Sequence, residues 1–123
     1  MQYRKTAAIA AISFAAMTGY AFADEPFGNW VRPSTGTTVK FYECGGLCAK
    51  IISVTDPEKK KTVGTVIMSG AKKTGPGKWK GNLLNTDNGN TYAGYVTMEG
   101  GGLHLEGCAL GGVLCSGETW PRK

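Results

Sequence analysis

The sequence predicts an all-β fold, a small eight-stranded antiparallel up-and-down barrel that follows a cleaved signal peptide. Three observations support this prediction. Glycine supplies 19 of the 123 residues, about twice the average usage of about 7%, and glycine is costly inside helices but useful in tight turns. No window after residue 23 repeats apolar residues at helical spacing. Short β-type runs instead recur about every 12 residues, bounded by turn residues.

The first 23 residues have the features of a secretory signal peptide. Arg4 and Lys5 form a charged start, residues 6–22 are apolar and alanine-rich, and residues 21–23 read Ala-Phe-Ala, a typical cleavage site. The mature chain, residues 24–123, is then a single domain. Loss of the two basic residues lowers the formal net charge from +5 to +3. We therefore predict a periplasmic or secreted protein.

The mature sequence also excludes two classes of envelope protein. It has no later apolar run of the roughly 18 to 20 residues that a spanning helix needs. No cysteine follows the cleavage site directly, where a lipid would be attached. We predict a mildly basic exported monomer with no membrane span.

Eight runs are typical of strands. They span residues 29–32, 37–43, 47–54, 63–69, 78–85, 91–98, 103–107 and 114–122. The intervening segments 33–36, 44–46, 75–77, 87–90 and 99–102 are rich in Gly, Asn, Asp and Pro, which are the residues of tight turns. Most connections suit hairpins, and eight antiparallel strands without a helix avoid exposed edges best by curling into a barrel.

Four cysteines in a short exported chain indicate two disulfides rather than a metal site. The spacings C-x3-C and C-x6-C fit zinc sites poorly. Of the three possible connectivities we predict Cys44 with Cys48 and Cys108 with Cys115, because each pair would lie directly opposite across a hairpin. The first hairpin register would also pair residue 41 with 51, 42 with 50 and 39 with 53.

The second hairpin register concerns Glu118. It sets Leu105 opposite Glu118 and Leu103 opposite Trp120, so the carboxylate would share the inward face with apolar side chains. There it would need a partner, a proton or water, because an isolated buried charge is costly. The alternative is a bulge near Gly117 that turns Glu118 outward, since glycines within strands often mark bulges.

The sequence contains few candidate catalytic residues. His104 is the only histidine, and alternation with Leu103 and Leu105 turns it to the outer face. The serines lie in no nucleophile motif, so a Ser-His-Asp array would depend on this one histidine. We predict that the protein is not an enzyme and holds neither cofactor nor metal.

Lysines cluster at positions 59–61, 72–73, 78 and 80, with Trp79 among them. Basic residues interleaved with aromatics are typical of nucleic-acid binding, but export removes that partner. We interpret them as solvated lysines, with an anionic lipid, polysaccharide or cell-wall polymer as the alternative partner.

Four aromatic residues share the parity of the apolar positions in their strands and are expected to point inward. They are Phe41, Trp79, Tyr92 and Trp120. The interior of an eight-stranded barrel is filled by side chains or holds one small ligand, and both alternatives remain open. In the second case Trp79, Tyr92 and Trp120 would be the walls of the pocket, with Glu118 as its polar anchor.

The order of motifs resembles a family of small exported bacterial proteins known as domain of unknown function 2147. The motifs are 28–30 (GNW), 41–48 (FYECGGLC), 63–70, 79–81 (WKG), 85–94, 105–108 (LEGC) and 115–122. The resemblance covers nearly the whole mature chain and implies a lipocalin-like (calycin-type) barrel. The G-x-W motif is similar to that of lipocalins, which implies that Arg122 lies across Trp30 where the barrel closes.

Two functional hypotheses follow. The first is a binding module whose barrel accepts a small apolar or amphipathic ligand, as the resemblance implies. The second is a filled barrel that contacts an envelope protein through its loops, as an interaction or inhibitor module. A continuous apolar cavity favours the first hypothesis, and a filled interior favours the second.

Overall fold

A computed structural model describes residues 25–123, and the predicted signal peptide lies outside the described residues. The strands are β1 (Gly28–Val31), β2 (Thr38–Glu43), β3 (Leu47–Ser53), β4 (Val66–Gly75), β5 (Lys78–Leu84), β6 (Thr91–Glu99), β7 (Gly102–Ala109) and β8 (Leu114–Trp120). Two 3₁₀ helices, Pro57–Thr62 and Leu110–Gly112, lie in the β3–β4 and β7–β8 connections. Within residues 25–123, no helix has the length and apolar character needed to cross a bilayer.

All eight strands form one antiparallel sheet in which each strand pairs with its neighbour in sequence. The sheet curls until the segment after β8 reaches β1, where Trp30 and Arg122 form an isolated antiparallel bridge. Two backbone hydrogen bonds, of 3.0 and 2.9 Å, flank this bridge. The predicted all-β, eight-stranded barrel-like fold is therefore confirmed. Three strands differ clearly from their predicted bounds. Strand β4 continues through Lys72 and Lys73, which the sequence places in a loop, β7 spans Gly102–Ala109 instead of 103–107, and β8 ends at Trp120 instead of residue 122.

The two ends of the curled sheet differ. The closed end carries the short turns at 44–46, 76–77 and 100–101 together with both ends of the described chain. The open end carries the four longer connections, β1–β2, β3–β4, β5–β6 and β7–β8, including both 3₁₀ helices. Since longer connections leave more space between strand ends, we expect access to the interior at the open end.

Large apolar side chains fill the interior at the closed end and in the middle of the sheet. Trp30, Phe41, Leu47 and Leu103 are all at most 1% exposed. Phe41 and Trp120 make an edge-to-face contact with ring centroids 6.2 Å apart, a geometry that aromatic pairs favour. The interior is therefore filled by large side chains toward the closed end.

The closed end is tied together by Arg122. Its guanidinium carbon lies 4.2 Å from the centroid of the Trp30 ring, so the predicted stack is present. The two terminal nitrogens donate to the carbonyls of Phe27 and Glu25, each at 2.8 Å. The indole N–H donates to the Pro26 carbonyl at 2.7 Å. Arg122 thus joins the last residues of the chain to the segment that precedes β1.

The register of the β2–β3 hairpin differs from the prediction. Glu43 pairs with Leu47 and Tyr42 with Cys48, so Cys44 lies in the turn and the predicted pairs 41/51, 42/50 and 39/53 are wrong. A slip of two residues leaves every side chain on its face, so the apolar pattern cannot distinguish the two registers. In the observed register the three-residue turn 44–46 is centred on Gly45, which adopts φ +86°, a conformation that glycine tolerates best.

Both disulfides have the predicted partners. Cys44 bonds to Cys48 with Cα atoms 5.9 Å apart although the two residues are not directly opposite, and Cys108 bonds to Cys115 with Cα atoms 4.1 Å apart. The β7–β8 register follows the prediction throughout, pairing residue 108 with 115, 105 with 118 and 103 with 120. No bulge occurs at Gly117. Disulfides agree with an oxidising compartment.

Candidate ligand cavity at the open end

A cavity of about 980 Å³ opens between the loops of the open end. Its volume lies at the upper end of the range of about 300 to 1,000 Å³ that is usual for small-molecule pockets. The cavity reaches down between the strands as far as Trp120, which is 5% exposed. The barrel interior is thus filled by side chains toward the closed end and hollow toward the open end. The sequence left a filled interior and a ligand pocket open as alternatives, and the structure combines them.

The lower part of the cavity is apolar. Its wall includes Val39, Ile51, Ile67 and Leu105, all less than 10% exposed. The space persists partly because Gly107, which also lines it, has no side chain. A Cβ atom built at Gly107 would meet no atom closer than 3.7 Å. The side chains of this wall offer no hydrogen-bond donor or acceptor, so this part of the cavity suits the hydrocarbon part of a ligand.

The rim of the cavity is polar. The Nε of Arg32 donates to Glu118 Oε1 at 3.0 Å, and the hydroxyl of Ser34 donates to the same oxygen at 3.1 Å. The side chain of Glu118 is 28% exposed and that of Arg32 is 43% exposed, so both remain within reach of water. Of the three outcomes expected for an inward Glu118, which were a partner, a proton or water, the structure shows the first, because Arg32 and Ser34 are hydrogen-bond partners of its carboxylate.

A second ion pair lies at the rim. Lys59, in the 3₁₀ helix Pro57–Thr62, donates to the carboxylate of Asp87 in the β5–β6 loop. The hydrogen bond to Lys59 lowers the pKa of Asp87, and the same bond raises the pKa of Lys59. Asp87 is positioned by its own loop, where its backbone N–H donates to Asn85 Oδ1 at 2.8 Å. The pair therefore links two loops that are neighbours along the rim, since they connect to the adjacent strands β4 and β5.

The tie between Lys59 and Asp87 is expected to depend on pH. A lowered carboxyl pKa contributes stability above the unfolded value, near pH 4, that is lost as pH falls through the folded pKa. A raised lysine pKa contributes stability below about pH 10 that is lost as pH rises further. We expect amide protection of residues 58–62, corrected for intrinsic exchange, to fall in acid. Asp87→Asn should show the lower protection already at pH 7.

The control for this prediction is Lys60→Gln, since Lys60 lies beside Lys59 and has no carboxylate partner among the described contacts. It should leave the amide protection of residues 58–62 and its acid dependence unchanged. Equal protection of this helix in Asp87→Asn and the wild type at pH 7 would contradict the role of the ion pair. Because both groups are exposed, the melting temperature should change little.

The structure brings three of the four predicted ligand-contacting residues to the cavity. Tyr92, Glu118 and Trp120 line it. Trp79 does not, contrary to the prediction; it faces inward near the start of β5 and packs against the core toward the closed end. Strand alternation determines which face a side chain occupies, but it does not determine the height along the barrel at which the residue lies.

Several rim residues were missed by sequence reasoning. Arg32 is 86 positions from Glu118, and Lys59 is 28 positions from Asp87. No local spacing joins such residues. The available signal was the inward position of Glu118, for which a partner from another part of the chain was one of three expected outcomes.

His104 lies on the outer surface, as predicted, and is not part of the cavity lining. Its Nδ1 is 3.0 Å from the Thr119 hydroxyl. Glu99 and Glu106 approach the two ring nitrogens at 3.9 and 4.0 Å. The histidine thus belongs to a polar group outside the sheet, separate from the cavity.

Among the comparisons with known proteins, only the one with models of protein families gives a match to this chain. No curated protein and no solved structure matches it. The model of one bacterial family, described as "Uncharacterized protein conserved in bacteria (DUF2147)", matches residues 28–122. This match spans all eight strands, both disulfides and the Arg122 closure, so the chain belongs to the DUF2147 family.

Proposed function

We propose that the protein is an exported, non-enzymatic binding module that holds a small amphipathic molecule in the open-end cavity. The observation that carries this proposal is the cavity of about 980 Å³ with an apolar wall below and an Arg32–Glu118 pair at its rim. The signal-peptide pattern and the two disulfides support a periplasmic or secreted location. The Trp30–Arg122 stack supports a lipocalin-like barrel as part of the same proposal.

The division of the cavity suggests how such a ligand would lie. A hydrocarbon segment would displace water from the wall formed by Val39, Ile51 and Leu105, which favours burial by about 25 cal/mol per Å² of apolar surface. The polar end would stay at the rim. There Glu118 accepts hydrogen bonds and Arg32 donates them, so the pair suits an uncharged or zwitterionic head group that offers both a donor and an acceptor.

Binding by the cavity is testable with a substitution that fills it. Gly107→Leu places a side chain in the apolar space, and it is expected to weaken binding of the uncharged fluorescent probe N-phenyl-1-naphthylamine by at least about tenfold, since ligand and side chain compete for one volume. The matched control is Gly75→Leu. Gly75 ends β4 near the closed end, and a Cβ there meets nothing within 4 Å. Equal affinity in the two variants would contradict the proposal.

The polar anchor has its own test. Glu118→Gln keeps the shape of the side chain but removes its charge, and hydrogen bonds to a charged group are worth about 1.5 to 3 kcal/mol. We expect at least about a tenfold loss of affinity for a single-chain lysophospholipid and little change for N-phenyl-1-naphthylamine.

Native mass spectrometry of the protein purified from its own envelope, looking for a co-purified small molecule, would identify the natural ligand.

A second candidate function is contact with an envelope protein through the β7–β8 tip. Leu110, Val113 and Leu114 are 72%, 79% and 61% exposed, and large exposed apolar patches often mark interaction sites. The double variant Leu110→Ser/Val113→Ser separates the two functions. It would abolish capture of a protein partner and leave probe binding in the cavity intact.

A further inference from the structure

Charge is distributed unevenly around the curled sheet. Strands β2 to β5 carry six lysines and one acidic residue, Glu43. Residues 91–120, which include β6, β7 and β8, carry three glutamates and no lysine or arginine. The positive excess of the described chain therefore belongs to one half of the barrel.

Five of these lysines share the outer face, and we call this surface the lysine face. They are Lys40, Lys50, Lys72, Lys78 and Lys80. Lys40 is directly opposite Lys50, and Lys72 is directly opposite Lys80. Like charges directly opposite each other destabilise a sheet. Two such pairs on one face indicate that stability alone does not account for the arrangement.

Carboxylates within the described chain do not neutralise the lysine face. None of its five lysines has a carboxylate oxygen within 4.0 Å among the described ion pairs. Two of them lie over tyrosine rings instead, Lys50 Nζ at 5.8 Å from the centroid of Tyr42 and Lys80 Nζ at 5.6 Å from that of Tyr95. The face therefore combines unpaired positive charge with aromatic rings.

The rim of the open end shows the opposite arrangement. Its basic residues are matched by acidic ones in number: Arg32, Lys59, Lys60 and Lys61 against Asp56, Glu58, Asp87 and Glu118. Two of these acids are directly paired, Glu118 with Arg32 and Asp87 with Lys59. The rim is thus close to neutral, and long-range attraction of anions is expected from the lysine face.

We propose that the lysine face binds a linear polyanion, namely an acidic polysaccharide of the envelope. The lysines on adjacent strands would contact successive anionic groups, and Tyr42 and Tyr95 would pack against sugar rings. A bilayer fits this surface less well, because the only large apolar side chain on β2 to β5 that is strongly exposed is Val66. The proposal uses a different surface from the cavity and does not depend on ligand binding there.

The test measures binding of the mature protein to polygalacturonate, with neutral dextran as the control polymer. We expect binding to polygalacturonate alone, and affinity that falls as salt rises, since contacts to a polyanion release counterions. Lys40→Gln/Lys50→Gln and Lys72→Gln/Lys80→Gln should each weaken it by at least about tenfold at low salt. The matched control is Lys60→Gln/Lys61→Gln, which removes the same charge from the rim and should change affinity by less than about threefold.

Stability provides a second readout. Each face variant removes a repulsive cross-strand pair and one exposed lysine–tyrosine contact. The two effects are of similar size and opposite sign, so its melting temperature should stay close to that of the wild type. A clear fall in the melting temperature would mean that the lysines stabilise the fold and would overturn the proposal.

Equal loss of affinity for polygalacturonate in the face and rim variants would overturn the proposal as well, since net charge alone would then explain binding. Binding to phosphatidylglycerol vesicles but not to polygalacturonate would assign the face to a membrane instead.

Discussion

Trp30→Ala is expected to destabilise the protein by about 3 to 5 kcal/mol, the range measured when a large aromatic side chain is removed from a core. Trp30 is fully buried and makes two further contacts that alanine cannot. Its N–H donates to the Pro26 carbonyl at 2.7 Å, and its ring lies under Arg122. Since domains of this size are stable by only about 5 to 15 kcal/mol, the variant should approach unfolding at 37 °C. Urea denaturation followed by far-ultraviolet circular dichroism measures the effect.

Arg122→Ala separates the stack from the burial of the indole. It leaves Trp30 in place but removes the guanidinium and its hydrogen bonds to Phe27 and Glu25. Arg122 is exposed, and a cation over an indole contributes about 0.5 to 1 kcal/mol at an exposed site, so the loss should be clearly smaller than that of Trp30→Ala. Wild-type stability for Arg122→Ala would show that the closed end is held by the core alone.

Gly81→Ala is expected to destabilise the protein by about 1 to 3 kcal/mol, the usual cost of overpacking a well-filled interior. A Cβ at Gly81 would lie 2.8 Å from the Cβ and 2.9 Å from the Cα of Ala71. Ala71 is fully buried on β4, so relief requires movement of that strand. The gain of about 0.4 to 1 kcal/mol from a less flexible unfolded chain is too small to offset this clash.

Gly107→Ala is the matched control for Gly81→Ala. Gly81 and Gly107 are in one row of glycines across three strands, each paired with Gly94. The surroundings differ, because a Cβ at Gly107 has 3.7 Å of clearance on the cavity side. Gly107→Ala should therefore be neutral or slightly stabilising in thermal denaturation. Equal destabilisation by the two variants would contradict the close packing of β4 against β5 and the open space beside Gly107.

Patterns of neighbouring residues were sufficient to predict much of the fold. Alternating apolar residues and glycine-rich turns predicted eight strands, and the structure has them. The spacing of Cys108 and Cys115 predicted the register that brings Leu105 opposite Glu118. In that hairpin the cysteines are directly opposite, so a local constraint was enough to align the whole strand pair.

The sequence alone was insufficient where two arrangements preserve the same faces. The β2–β3 hairpin could slip by two residues without moving an apolar side chain to solvent, so the alternation of apolar residues could not determine its register. Trp79 was correctly placed on the inner face but not at the height of the cavity. Alternation has a period of two residues and carries no information about position along the barrel axis.

The sequence by itself determined the strand number, the inner and outer faces and the disulfide partners, because each depends on residues close together in the chain. Only the tertiary structure decided that the interior is solid at one end and hollow at the other. It also decided that Arg32 meets Glu118 across 86 positions. These features arise when the sheet curls and brings loops that are distant in the sequence to one rim, so no pattern of neighbouring residues encodes them.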